Sequence, residues 1–129
     1  MKVYKYLLKY LEKLKDKKVI LAGDFNIAHK EIDLTNSKQN KNNIMFTAEE
    51  RKQIDKIVDL GFIDSFREFN KKDGNYTWWA YAFNARERNV GWRIDYIFTS
   101  KSVTKKLKEG FILGKVKGSD HCPVGIELK

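Results

Sequence analysis

One cysteine and one proline occur in the 129 residues, and no apolar run approaches the length needed to cross a membrane. The lone Cys122 excludes an internal disulfide and suits a reducing compartment. The lysine-rich start lacks the apolar core and cleavage site of a secretory leader. The expected location is therefore cytoplasmic, with nucleoid association if the source is prokaryotic. No repeat, low-complexity tract or linker interrupts the chain, so residues 1–129 are expected to form a single domain. Acidic residues are outnumbered, 17 against 26 Lys and Arg, which leaves a net charge of +9. That excess favours a polyanionic partner such as nucleic acid; a lysine surface serving only solubility is the alternative. The lysine runs at 13–18 and 101–108 read as solvated faces.

What is present is ordered along the chain. Residues 3–18, VYKYLLKYLEKLKDKK, place Val3, Leu7, Leu11 and Leu14 at helical spacing between lysines, which predicts an amphipathic helix. Val19 to Ala22 is a continuous apolar run, as in a strand buried on both faces. Gly23 ends it, so Asp24 and Asn26 are expected at its C-terminal end. Residues 29–46 have no sustained period and read as a long loop. In TAEE, Thr47 and Glu50 form a capping box; Ile54, Ile57 and Val58 give the following helix a buried face, and Gly61 can close it. The aromatic density of NYTWWAY predicts a strand. GWRIDYIFTS alternates, with Trp92, Ile94, Tyr96 and Phe98 on one face and Arg93, Asp95 and Ile97 on the other. A charged Asp95 inside so strong a strand marks a functional place. VTKKLKEG predicts about two helical turns, and the last strand is expected from Pro123 to Leu128.

Four stretches set acidic, amide or imidazole groups beside strand ends: Asp24 with Asn26, Asn40 with Asn43, Asp95, and Asp120 with His121. Phosphodiester hydrolysis needs an activated water, neutralisation of the phosphate oxygens and help for the leaving oxygen. Carboxylates suit Mg²⁺, and a histidine aimed by an aspartate can move a proton or stabilise developing charge. The inventory fits metal-assisted phosphoryl chemistry, although any basic domain has several Asp and Asn residues. Trp78 and Trp79 are adjacent, so in a strand they face opposite ways, one toward a pocket and one toward the core. Cys122 reads as a packed small hydrophobe, and His29 as structural.

GDFNIAHKEIDL, NARERNVGWRIDYI and GSDHCPV occur in the order and spacing of the exonuclease III and apurinic-apyrimidinic endonuclease family, which the chain resembles over nearly its whole length. The resemblance implies the endonuclease–exonuclease–phosphatase fold, here the C-terminal half of a four-layer α/β sandwich: one mixed, mainly antiparallel sheet with helices on its outer face. It implies that Asp24 holds and activates the attacking water, that Asn26 orients it, and that His121, its tautomer set by Asp95, contacts the scissile phosphate. Asp120 would support the metal, with Asp24, or the leaving group. Asn40 and Asn43 match positions that contact the backbone near the cut, and Trp78, Trp92 and Ile94 match the walls of a pocket for a flipped-out, baseless deoxyribose. Arg86 and Arg88 are placed to meet DNA phosphates. Ala82 stands where a larger apolar residue is common, so no wedge into the duplex is expected from that position. The implied cofactor is Mg²⁺, with Mn²⁺ as the alternative ion, and the implied substrate is double-stranded DNA with abasic sites. The implied reaction is cleavage 5′ to the lesion, with 3′→5′ exonuclease or 3′-phosphodiesterase activity as an accompaniment.

The family's domain is about twice as long, a two-sheet sandwich of two similar halves. Its first half carries the glutamate that is the principal metal ligand, and that motif is not in this chain. An uncovered sheet face and weak or absent activity of the chain alone are therefore expected. The face would be covered by a complementary N-terminal half or by a second copy in a homodimer. The alternatives kept beside this are a DNA-binding module without turnover, a lipid or sugar phosphatase of the same fold, and an engineered half-domain.

Overall fold

The structure, a computed structural model, describes residues 1–129. Helix α1 (Lys2–Leu14) packs on α2 (Ala48–Asp59), and both cover one side of a three-stranded antiparallel sheet of order β1-β3-β2. Its strands are β1 (Ile20–Asp24), β2 (Ile63–Asp64) and β3 (Asp95–Thr99). The short α3 (Ser65–Phe69) and α4 (Lys101–Thr104) follow β2 and β3, and β4 (Leu107–Ile112) pairs antiparallel with β5 (Val124–Leu128) in a second sheet. Isolated bridges at Trp78 tie Trp92 to His121 and so join the two sheets. This is the expected α/β half, with every pairing antiparallel and the strands in two sheets rather than one mixed sheet. No helix is long and apolar enough to cross a membrane.

The core explains the helices. Leu11, Ile54, Ile57, Phe62, Phe25, Tyr96 and Phe98 form one buried cluster, with Tyr4, Leu7 and Leu8 packed against it. The buried stripe of α1 is thus Tyr4–Leu7–Leu8–Leu11, while Val3 is 78% exposed. On α2 the capping box is present as expected: Thr47 Oγ1 accepts the Glu50 N–H at 3.1 Å and Glu50 Oε1 accepts the Thr47 N–H at 3.1 Å. Val58 turns outward and Gln53 takes its place inside. The Phe25 ring meets Tyr96 and Phe98 edge-on at 5.6 and 5.4 Å, an attractive quadrupole geometry.

Three strand expectations change. First, β1 is an edge strand with one face covered, not two: Leu21 packs on the core, but Ile20 is 50% exposed and Ala22, Gly23 and Asp24 are exposed. Second, regular pairing of the GWRIDYIFTS stretch begins at Asp95 rather than Trp92. Arg93 leaves the alternation, because its guanidinium is enclosed by Asp33 and Asp64 and lies 4.7 Å from the Tyr96 ring. Third, VTKKLKEG makes a single turn of helix and then a strand. Leu107 pairs with Leu128, and Gly110 lets β4 approach α3 so closely that a Cβ there would lie 2.5 Å from the Ser65 carbonyl oxygen. NYTWWAY is extended but contributes only bridges. The long loop at 29–46 holds one 3₁₀ turn, Glu31–Asp33.

Candidate active site

Sheet register brings the first two groups together. In the pairing of β1 with β3, Asp24 stands directly opposite Asp95. Two carboxylates so placed repel and cost stability unless a cation or donors lie between them. The chain supplies one such group: His121 Nδ1 lies 2.8 Å from Asp95 Oδ2, and His121 Nε2 lies 3.8 Å from Asp24 Oδ2. Ligand atoms of Asp24, Asp95 and His121 all fall within 4.8 Å of one another. Two carboxylates and one imidazole within that span form a donor set that could hold a divalent metal ion.

Each side chain is held by local structure. Asp24 Oδ1 accepts the Asn26 N–H at 2.8 Å, a side-chain turn that puts Asn26 at φ +53°, where asparagine is tolerated. Thr77 Oγ1 accepts the N–H of both Ile94 and Asp95, at 3.0 and 3.2 Å, and fixes the start of β3. Ser119 Oγ accepts the His121 N–H at 3.1 Å. Asp120 stands outside the cluster: its Oδ2 accepts the Trp78 indole N–H at 3.0 Å. That indole bond holds the Asp120 carboxyl below its usual range.

The electrostatics follow from these contacts. Burial pushes the Asp95 carboxyl up, and the Thr77 and His121 bonds pull it back only in part. Burial also works against the His121 imidazolium, but the bond and charge of Asp95, with Asp24 and Asp120 beyond, outweigh it and raise its pKa. A raised folded-state pKa contributes stability below the unfolded value of about 6.5, and this is lost as pH rises through the folded value. His121 followed by NMR is expected to titrate above about 6.5, and Asp95→Asn should lower its midpoint. Equal midpoints in the two proteins would remove Asp95 as the cause.

Next to this cluster lies a cleft of about 850 Å³ lined by Asn40, Asn43, Trp78, Trp92, Phe83 and Arg88, among others. Trp78 belongs to both, since its backbone bridges His121 and its indole holds Asp120. Trp79 faces the core, 5% exposed, and Cys122 packs beside it. Gly91 permits the crossing, because a Cβ there would lie 2.6 Å from the Trp79 ring. Asn43 Nδ2 donates to Asn40 Oδ1 at 3.2 Å, so the two amides face the cleft as a pair. Phe83, in the cleft lining, is 87% exposed and is held at φ +59° with its carbonyl accepting from Arg88 at 2.9 Å; Tyr81, two residues before it, is 84% exposed. The large apolar surface absent at Ala82 is thus present on both its neighbours.

Two sequence-expected residues sit elsewhere. Ile94 is buried at 1% exposure and is not part of the cleft lining. Arg86 is turned away from the cleft, toward the 113–119 loop. The largest cavity, about 1040 Å³ between α1 and α2, contains none of the expected site residues. Sequence reasoning passed over Thr77, and only its place between aromatics in an extended stretch could have suggested it.

Comparison with known proteins adds the relations. Residues 3–121 match the profile of the Endonuclease/Exonuclease/phosphatase family. The chain is 48% identical over 120 residues to an exodeoxyribonuclease of Bacillus subtilis (strain 168), covering 92% of this chain and 48% of that protein. It is 48% identical over 120 residues to a DNA-(apurinic or apyrimidinic site) endonuclease of Dictyostelium discoideum, covering 91% of this chain and 33% of that protein. An AP endonuclease structure from Archaeoglobus fulgidus superposes with a TM-score of 0.91 at 28% identity, over 98% of this chain and 52% of the other. The 3′ phosphatase NExo from Neisseria, bound to a product DNA hairpin, gives 0.91 at 28% identity, over 98% and 51%. The chain spans about half or less of each.

Proposed function

The chain belongs to the endonuclease/exonuclease/phosphatase family, and on that premise we propose that it is the C-terminal half of a DNA-repair phosphodiesterase that cuts the backbone 5′ to abasic sites. The convergence of Asp24, Asp95 and His121 beside a cleft walled by Trp78 and Trp92 carries the proposal. Asp24, free on one oxygen, receives the proton of the attacking water, and Asn26 orients that water. His121 Nε2, directed into the site because Nδ1 is engaged by Asp95, contacts the phosphate that is cut. Asp120, anchored to Trp78 and held as a carboxylate, would support the divalent ion with Asp24 and through it the leaving group. A divalent ion, Mg²⁺ or Mn²⁺, held in part by Asp24, supplies neutralisation of phosphate charge when bound.

Asn40 and Asn43 bind the backbone near the cut, and Arg88 meets a further phosphate. A baseless sugar is small and flips without unstacking a base, so a cleft between two indoles admits it and excludes a full nucleotide. The same chemistry at a 3′ end gives exonuclease or 3′-phosphodiesterase activity.

The exposed edge of β1, and its face turned away from α1 and α2, fit a complementary half or a second copy of this chain. The test pairs light scattering with cleavage of a tetrahydrofuran-containing duplex in Mg²⁺, for the chain alone and with the N-terminal half of a relative. The expected result is duplex binding by the chain alone, with cleavage rising at least about a hundredfold when the second half is added. Robust metal-dependent cleavage by a proven monomer would show the half to be sufficient. Binding with no cleavage in any mixture would favour a binding module without turnover.

A further inference from the structure

By sequence, Arg86 is expected at a DNA phosphate; its contacts point elsewhere. Its guanidinium lies 4.5 Å from the centre of the Trp79 ring. One terminal nitrogen donates to the Ser119 carbonyl at 3.0 Å, and the other to the carbonyls of Gly114 and Val116 at 3.1 and 2.7 Å. These three carbonyls belong to the segment between β4 and β5, the one that carries Asp120 and His121. Residues 114–119 receive no other hydrogen bond from a side chain outside the segment. Below the guanidinium, Trp79 is itself fixed: its indole N–H donates to Asn89 Oδ1 at 3.0 Å, and its backbone N–H donates to the Asp120 carbonyl at 3.2 Å. A planar fork with several fixed donors, stacked on an aromatic ring, is a task for which lysine is no substitute.

We infer that Arg86 is a positioning residue: it ties the 113–119 loop to the Trp79 floor and so sets where Asp120 and His121 enter the site, without touching DNA. Its importance for cleavage rests on the proposed function; its structural action does not. Arg88, two residues on, is the contrast. One of its terminal nitrogens holds the Phe83 carbonyl, and its side chain lines the cleft where a phosphate can reach it.

The test compares the chain with Arg86→Ala, Arg86→Lys and Arg88→Ala by three readouts: amide hydrogen exchange, the ring-nitrogen NMR shifts of His121, and the salt dependence of binding to a duplex with a tetrahydrofuran site. Arg86→Ala should speed exchange at the hydrogen-bonded amides of Val116 and His121 by about tenfold or more while β1 and β3 are unchanged. The His121 ring shifts should move with it. Its slope of log K against log salt should match that of the unaltered chain, whereas Arg88→Ala should make the slope shallower by about 0.9. Arg86→Lys, which keeps the charge but loses the fork, should show the same local loosening, and it decides the matter if the alanine variant fails to fold. Unchanged exchange and His121 shifts in both Arg86 variants, or a slope reduced as in Arg88→Ala, overturn the inference. Should no protein bind the duplex at all, the proposed function falls, and exchange and ring shifts still decide the role of Arg86.

Discussion

Replacing Arg93 by leucine is expected to leave the chain without a cooperative fold. Arg93 is 1% exposed, and its side chain joins the buried carboxylate of Asp33 to the largely buried one of Asp64. Its Nε donates to Asp33 Oδ1 at 2.7 Å, and its two terminal nitrogens donate to the two oxygens of Asp64 at 3.1 and 2.6 Å. Arg67 adds a second cation at 2.8 Å from Asp33 Oδ1. Burial opposes the Arg93 charge, but Asp64 and Asp33 outweigh it and keep the group firmly protonated. For Asp33, burial is likewise outweighed by the two arginines, which hold its carboxyl low.

Leucine in this position leaves Asp64 without its bidentate partner and Asp33 with one cation instead of two. Breaking a buried pair from one side costs about 3–5 kcal/mol. Domains of this size have about 5–15 kcal/mol in total, and a half with a bare edge strand sits low in that range. Thermal and urea unfolding followed by circular dichroism checks this. Lysine at 93 should recover part of the loss, since it restores charge but not the fork. A leucine variant with the unaltered midpoint would mean that the two carboxylates are reached by water, and the account of the network would fail.

Arg93 also shows what a sequence can and cannot convey. The alternation in GWRIDYIFTS identifies a strand, and Tyr96 and Phe98 do face the core. It cannot reveal that Arg93 breaks step, because the reason is two aspartates 60 and 29 residues away in sequence. The capping box at Thr47 and the turn at Asp24–Asn26 are legible because every partner lies within three residues. The β4 strand is not legible, since LKEGFI has weak alternation and its position depends on Gly110 meeting the backbone of α3. For the candidate site, motif order points to Asp24, Asp95 and His121 among others, and the register and the Trp78 bridges bring these three together. Motif order was not enough for Arg86: position in a basic, aromatic stretch says nothing about which way a long side chain turns.

The second large effect is expected in the enzyme proposed above, the chain combined with a complementary half. Asp95→Asn should lower the turnover of abasic-site cleavage about a thousandfold or more, with little change in duplex affinity. The effect is one of tautomer. The Asp95 carboxylate can only accept at His121 Nδ1, 2.8 Å away, so it selects the ring form whose Nδ1 carries the proton. An amide can present its NH₂ instead, which favours a deprotonated Nδ1 and reverses what Nε2 offers to the phosphate. The same replacement removes one of two facing carboxylates and relieves repulsion with Asp24, so at a pH above the His121 midpoint, where the imidazole is neutral, the protein should be no less stable for it. Loss of turnover together with retained or improved stability separates this role from simple damage.

His121→Ala should cost a similar factor, and the double variant should be barely worse than either single one, because the two residues act as one unit. Steady-state kinetics and thermal melts of the three variants measure both halves of the claim. Multiplicative losses in the double variant would mean that Asp95 and His121 act independently. In that case Asp95 would be better read as a ligand for the divalent ion beside Asp24, and His121 as the residue that meets the phosphate unaided.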